Sequence, residues 1–262
     1  MTNHDKYAGT YAMIIENATF KINVSGEVIS DRVFKGGNCF MKYIVIDLEM
    51  NPIAVKHEKE RKISKLEVIQ IGAVLLDEKY LEIGSFVTLV KPQYNERIEP
   101  KYERLTGIKT GMVDSAPCFQ EALSMFLSWC DSIRDEIQII QWSENDLAQI
   151  VREIKLKEIT ISERNEKYLN SGWVDFQAEY GTILGMERKI SLKDAVMYAG
   201  ENFQGHQHDA LVDARNTAEL VSVVRDDVRC KEALGAVIDA LKPEKEVSLG
   251  DLFDFSKLVL VA

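Results

Sequence analysis

Tyr43-Ile44-Val45-Ile46-Asp47-Leu48-Glu49 constrains this chain more than any other stretch. Four apolar residues, three of them β-branched, read as a strand buried in a sheet. Residues i and i+2 of a strand point to the same side. Asp47 and Glu49 therefore project together from the end of a core strand. Two carboxylates so placed repel each other and resist desolvation. A divalent cation held between them reverses that penalty. A strand that merely ends in surface acids would show the same letters, so the choice depends on carboxylates further along.

The length of 262 residues suits one sizeable α/β domain, or that domain plus a small addition. Apolar content of 46% and charged content of 28% are ordinary for a globular chain. No apolar run approaches the roughly 18–20 residues that span a bilayer, and no membrane association is expected. The start, Met1-Thr2-Asn3-His4-Asp5-Lys6, shows no secretory signal, so a cytoplasmic location is expected. Cys39, Cys118, Cys130 and Cys230 show no CxxC-type spacing and only four histidines are present, which speaks against zinc. The net charge of −10 argues against a protein that coats duplex nucleic acid. It leaves room for an enzyme that grips a few nucleotides beside bound metal.

Residues 1–40 differ from the rest. Thr19 to Ser25 alternates apolar and polar residues, as a half-buried antiparallel strand does. Tyr11 to Ile15 and Val28 to Phe34 are further strand candidates, closed by Lys35-Gly36-Gly37. About 35 residues cannot bury a core of their own, so this piece must pack on the main domain or on another chain. Beyond the opening strand, Asn51 to Lys65 is a charged loop, either solvated or a flap beside the acids. Glu67 to Leu76 and Ile83 to Val90 are the next strands, and the short links predict an antiparallel meander. A helical turn follows at Pro100 to Leu105. Pro117 is expected in the first turn of a helix whose apolar stripe is Phe119, Leu123, Phe126, Leu127 and Cys130. Ile137 to Trp142 is a fourth strand, and a helix containing Asp146 begins at Ser143. Later helices are predicted over Val174–Leu184, Leu192–Ala199, Ala210–Arg225 and Lys231–Leu241, ahead of an apolar tail. The whole reads as α/β with a mixed sheet.

His208 and Asp213 are the remaining chemical station. Residues five apart on a helix lie about 140° apart around its axis. The pair converges only if His208 sits in the loop before the helix, which Gly205-His206-Gln207 can supply, with Asp213 in the first turns. Asp209 is then the helix cap.

Asp47-Leu48-Glu49, Asp146 in Trp142-Ser143-Glu144-Asn145-Asp146, and His208 separated from Asp213 by four residues resemble the three motifs of the DEDDh 3′→5′ exonucleases. Ile69-Gln70-Ile71-Gly72-Ala73-Val74, Leu105-Thr106-Gly107-Ile108 and Thr217-Ala218-Glu219-Leu220 are similar to the text around those motifs. The likeness runs from about Tyr43 to Val224 and is greatest to RNA 3′-end trimmers and bacterial sporulation-inhibitor-like relatives. It divides the chain into a β-rich extension (1–40), an exonuclease domain (41–228) and a C-terminal helix with an apolar tail (229–262).

The resemblance implies a ribonuclease H-like fold, two Mg²⁺ or Mn²⁺ ions, and release of nucleoside 5′-monophosphates from a 3′ end. It implies that Asp47, Glu49, Asp146 and Asp213 hold metal and that His208 is the general base. It also places Leu48, Met50, Leu105, Thr106 and Gly107 around the terminal nucleotide. The basic residues Arg97, Lys101, Arg104 and Lys109 lie near that segment and are either phosphate contacts or solvated. Trp142 is read as core. The expected partner is the 3′ end of single-stranded RNA. DNA is the alternative, and an inert binding domain is a third reading that the intact motif set disfavours. The N-terminal strands and the tail Leu258-Val259-Leu260-Val261 are candidates for a homo-oligomer interface.

Overall fold

The computed structural model describes residues 11–15, 18–22, 41–170 and 172–241. Seven strands form one mixed sheet: β1 (Tyr11–Ile15), β2 (Ala18–Ile22), β3 (Met41–Pro52), β4 (Leu66–Leu76), β5 (Glu82–Leu89), β6 (Glu136–Gln141) and β7 (Val174–Asp175). Their order across the sheet is β2-β1-β5-β4-β3-β6-β7. β3, β4 and β5 form the expected antiparallel meander, and β6 joins β3 in parallel. The N-terminal hairpin of β1 and β2 lengthens the sheet by pairing with β5 at Ile14–Ser85 and Ile15–Gly84. The strand expected at Val28 to Phe34, the closing Lys35-Gly36-Gly37 and the apolar tail lie outside the described residues.

The helices are α1 (Pro100–Thr106), α2 (Thr110–Val113), α3 (Phe119–Ser132), α4 (Asn145–Leu156), α5 (Glu163–Asn170), α6 (Phe176–Ile183), α7 (Leu192–Tyr198), α8 (Ala210–Arg225) and α9 (Asp227–Leu241). They cover both faces of the sheet, which is why β3 and β4 are nearly continuous apolar runs. Ile44, Ile46 and Leu48 pack with α3, Ile150 of α4 and Tyr168 of α5. Val45 packs on the other side with α6, α7 and α8. Asp47 and Glu49 continue the Val45 side and so face the layer that contains α8.

β4 carries a bulge. Glu49 pairs with Gln70 and Met50 pairs with Val68, which leaves Ile69 as the extra residue. The bulge keeps Val68 on the same face as Ile71, Ala73 and Leu75. It also turns Ile69 into a separate cluster with Leu89, Ile98, Ile108 and Val113.

Several local expectations are corrected. Pro117 precedes α3 rather than entering it. Its carbonyl accepts the Lys91 amide, and Cys118 is the extended cap whose amide donates to Glu121. Val174-Asp175 is a two-residue strand beside β6, because Ile140 and Gln141 offer it an edge. α5 escapes the sequence reading because Tyr168 alone is buried on it, too little for a visible period. α9 begins at Asp227, ahead of the expected Lys231. The charged loop after β3 is held at its base by Ile53 bonded to Lys65 and by Arg61 bonded to the Ile53 carbonyl, which argues against a free flap.

Gly72 decides how the two halves meet. It lies opposite Asp47, and a Cβ there would stand 2.3 Å from the Ala210 carbonyl carbon and the Leu211 nitrogen. Only glycine lets the start of α8 approach this closely. Next to it, Gln70 Oε1 accepts the Ala210 amide at 3.0 Å. Gly72→Ala meets backbone rather than a yielding side chain, so it should cost about 3 kcal/mol or more and remove activity with it. Urea denaturation checks this, and wild-type stability in Gly72→Ala would contradict the close docking.

Candidate active site

Each functional side chain is delivered by a local device. Past Ile46 the ladder between β3 and β6 ends. The Leu48 amide is therefore available, and it hydrogen-bonds the Asp146 carboxylate. Asp146 sits in the first turn of α4, whose Leu147 amide is capped by Gln141 Oε1 at 3.0 Å from the end of β6. Asp209 is the cap of α8, accepting the Leu211 and Val212 amides, as its sequence position predicts.

His208 lies just ahead of that cap with φ +65°, in the left-handed region. Three bonds hold it there. Its amide donates to Asp213 Oδ2 at 3.1 Å. The loop behind it is clamped by Asn216, which accepts the Gln204 amide and donates to the Gln204 carbonyl, both at 3.0 Å. This is the loop-plus-first-turn geometry that the five-residue spacing requires.

Glu49, His208 and Asp213 offer ligand atoms that all lie within 4.8 Å of one another. Asp47 and Asp146 are not in that group, yet their charges act on it and on each other. Glu49 is 7% exposed, Asp146 5% and Asp213 9%. Burial and then the neighbouring Asp146, Glu49 and Asp213 push Asp47 well above the usual carboxylate range. Burial first, then Asp213 and Asp146, raise Glu49 to about 8. Burial raises Asp146 to about 7, opposed by the backbone bond from Leu48. Burial raises Asp213 to about 6. His208 Nδ1 stands 4.0 Å from Glu49 Oε1, and burial, then the nearby His206, hold its imidazole below its ordinary range, on the neutral side near pH 7.

Asp213 Oδ1 is buried without a hydrogen-bond partner. An orphaned carboxylate oxygen among other carboxylates is what a hard cation with oxygen ligands would satisfy. The donor set therefore fits divalent metal.

The residues expected around a terminal nucleotide divide. Leu48 is buried in the core, so only its backbone faces the site, and Met50 packs partly against the same core. Thr106 is buried, with its hydroxyl donating to the Tyr102 carbonyl and accepting the Ile108 amide. Gly107 is the left-handed cap of α1. Leu105, 38% exposed, is the one side chain of that segment that reaches out. Trp142 packs on Phe176 and Tyr180 as core. Sequence reasoning missed the positioning roles of Gln70, Gly72, Gln141 and Asn216. Gln70 and Gly72 stood inside a strand that already explained them, and nothing in one sequence marks a backbone clamp.

A central strand and the starts of two helices on a mixed sheet bring together four carboxylates and an imidazole, the residue set on which the resemblance to the DEDDh exonucleases rests. Residues 44–221 match the Exonuclease (RNase_T) family, and the chain belongs to it. It is 28% identical over 211 residues to ERI1 exoribonuclease 2 of Danio rerio, covering 73% of this chain and 36% of that protein. It is 26% identical over 201 residues to the 3′-5′ exonuclease Snipper of Drosophila melanogaster, covering 70% of this chain and 68% of that one. The chain thus spans about a third of the length of the first relative. The fold is similar to the nuclease domain of 3′hExo, a DEDDh family member solved bound to rAMP. That match has a TM-score of 0.61 and 20% identity, and covers 73% of this chain and 95% of that one. A fold of this class implies divalent metal ions.

The raised carboxyls set a pH dependence. Unfolded carboxyls titrate near 4, so between about pH 4 and pH 8 the folded metal-free protein binds more protons than the unfolded chain. Its stability therefore falls as pH rises through that window. Melting in EDTA should give a lower Tm at pH 8 than at pH 5. Asp47→Asn should raise the pH 8 value, and a variant that melts at or below wild type at pH 8 would contradict the crowding.

Proposed function

We propose that the chain is a 3′→5′ exoribonuclease that uses two Mg²⁺ or Mn²⁺ ions. The observation that carries the reading is the convergence of Glu49, His208 and Asp213 within 4.8 Å, with Asp47 and Asp146 beside them. Asp47, Glu49, Asp146 and Asp213 would hold the cations, which supply Lewis acidity toward the scissile phosphate. His208 accepts the proton of the attacking water at an imidazole nitrogen, and its neutral state near pH 7 suits that task. Water attacks phosphorus, the bond to the 3′ oxygen of the penultimate nucleotide breaks, and the terminal nucleotide leaves with its 5′-phosphate. RNA is favoured because the relatives include proteins named exoribonucleases.

The strand reaches the site over α1. Buried Asn51, two residues past Glu49, donates to the Arg97 carbonyl at 3.1 Å and accepts the Glu99 amide at 3.0 Å. This fixes the segment with exposed Arg97, Lys101, Arg104 and Lys109 at the end of β3. The backbone of Leu48 and Met50, the side chain of Leu105 and the turn at Thr106 and Gly107 would frame the last nucleotide.

Matched end-labelled RNA and DNA oligonucleotides with Mg²⁺ or Mn²⁺ test the reading. RNA should shorten from the 3′ end to a ladder and release 5′-monophosphates. Faster loss of DNA would transfer the assignment to a deoxyribonuclease. Asp213→Ala should lose activity by 10³-fold or more, and full activity there would remove the two-metal assignment. His208→Ala should depress kcat by about 10²–10⁴-fold while leaving metal affinity nearly unchanged, as removal of a general base does. Lys101→Ala with Arg104→Ala should raise KM and lessen the slope of log K against log salt by about 1.4, from two single-strand phosphate contacts. An unchanged slope would show these cations to be merely solvated.

A further inference from the structure

α4 holds two buried polar side chains that the reaction does not use. Asp146, Gln149 and Glu153 stand at i, i+3 and i+7, so they share one face of the helix, and all three are buried. The far end of that face meets β4 at its bulge. Gln149 Nε2 donates to the Leu66 carbonyl at 2.8 Å and to Glu153 Oε1 at 3.2 Å. Glu153 Oε1 also accepts the Val68 amide. Val68 is the residue at which the register against β3 shifts, next to the pairing of Glu49 with Gln70.

A buried carboxylate is costly unless it is paired and hydrogen-bonded. Lys157, one turn on, bonds Glu153 and lies 3.7 Å from Glu67 Oε2 and 4.9 Å from the centre of the Phe119 ring. Glu67 in turn accepts the Gln93 amide at 2.7 Å and the Tyr94 amide at 3.0 Å. The network is therefore satisfied at each member. An apolar residue at 153 would leave the Val68 amide unpaired in the interior.

We infer that Glu153 is a positioning residue: with Gln149 and Lys157 it locks α4 to the β4 bulge, and so fixes Asp146 against Glu49. Gln141 holds the first turn of α4 and Glu153 holds its end. The helix that carries Asp146 is pinned to both strands that flank β3, the strand of Asp47 and Glu49. This inference rests on the proposed two-metal reading only for its consequence for metal.

The full chain tests it by two independent readouts: hydrogen exchange over residues 143–149, and Mn²⁺ affinity by titration calorimetry. Glu153→Leu combined with Lys157→Met removes the lock without stranding a buried ammonium. It should speed exchange over 143–149 at least tenfold, leave exchange over 210–220 unchanged, and weaken Mn²⁺ binding roughly tenfold, as loss of a residue supporting a ligand does. Glu153→Gln keeps an oxygen for the Val68 amide and should stay within about threefold of wild type in both. Gln149→Leu removes the bond to Leu66 without touching a charge, and gives the same readouts at smaller size should the double variant not fold. Wild-type exchange over 143–149 in a folded double variant, or in Gln149→Leu, would overturn the inference. A wild-type chain that binds no Mn²⁺ would remove the two-metal reading instead, and the exchange measurement would still decide the role of Glu153.

Discussion

Everything at the site depends on one close approach, the start of α8 laid against β4 at Gly72. The helix brings Asp213, and its leading loop brings His208. The strand beneath is paired residue for residue with β3, so Gly72 faces Asp47 and Gln70 faces Glu49. With no Cβ at 72 and the Gln70 side chain holding the Ala210 amide, the two halves of the carboxylate cluster meet at a set distance. The approach is steric on one side and hydrogen-bonded on the other, so it specifies both how near the helix comes and where along the strand it stops.

That geometry works against the metal-free fold. Burial raises all four carboxylates, and repulsion from the neighbouring acids raises Asp47 and Glu49 further. A divalent cation converts that repulsion into attraction. The position of each of these groups is set from outside the cluster. Gln141 caps α4, Asn216 clamps the loop of His208, and Glu153 ties the end of α4 to the bulge. Each is a side chain bonded to backbone, so it holds a position in the chain rather than another mobile side chain. Gln141 and Glu153 grip backbone that already belongs to a helix or a ladder, whereas Asn216 orders a loop.

The same economy explains the segment from Arg97 to Lys109. It has little core of its own beyond Ile98, Ile108 and Val113, and Asn51 fixes it to the end of β3. Thr106 and Gly107 shape the turn from within, which leaves Leu105 and the basic side chains facing outward. Residues that look like one functional motif thus separate into those that build the surface and those that present it.

The sequence alone determined the family and the candidate site residues. A β-branched run ending in two carboxylates, a third at a helix start, and a histidine five residues before a fourth sufficed for the class, the meander and the helix over Ala210–Arg225. These features are local, because strand alternation, helix period and caps are written within a few residues. Asp209 as a cap and His208 as a loop residue were legible for that reason. The tertiary structure decided what no local pattern encodes. Gly72 and Gln70 gain their meaning from residue 210, and Glu153 gains its own from an amide at a bulge on another strand. β7 exists only because β6 has a free edge. The physical reason is the same in each case. Steric clearance and an unpaired buried amide are properties of two distant segments together, so they leave no trace in either one.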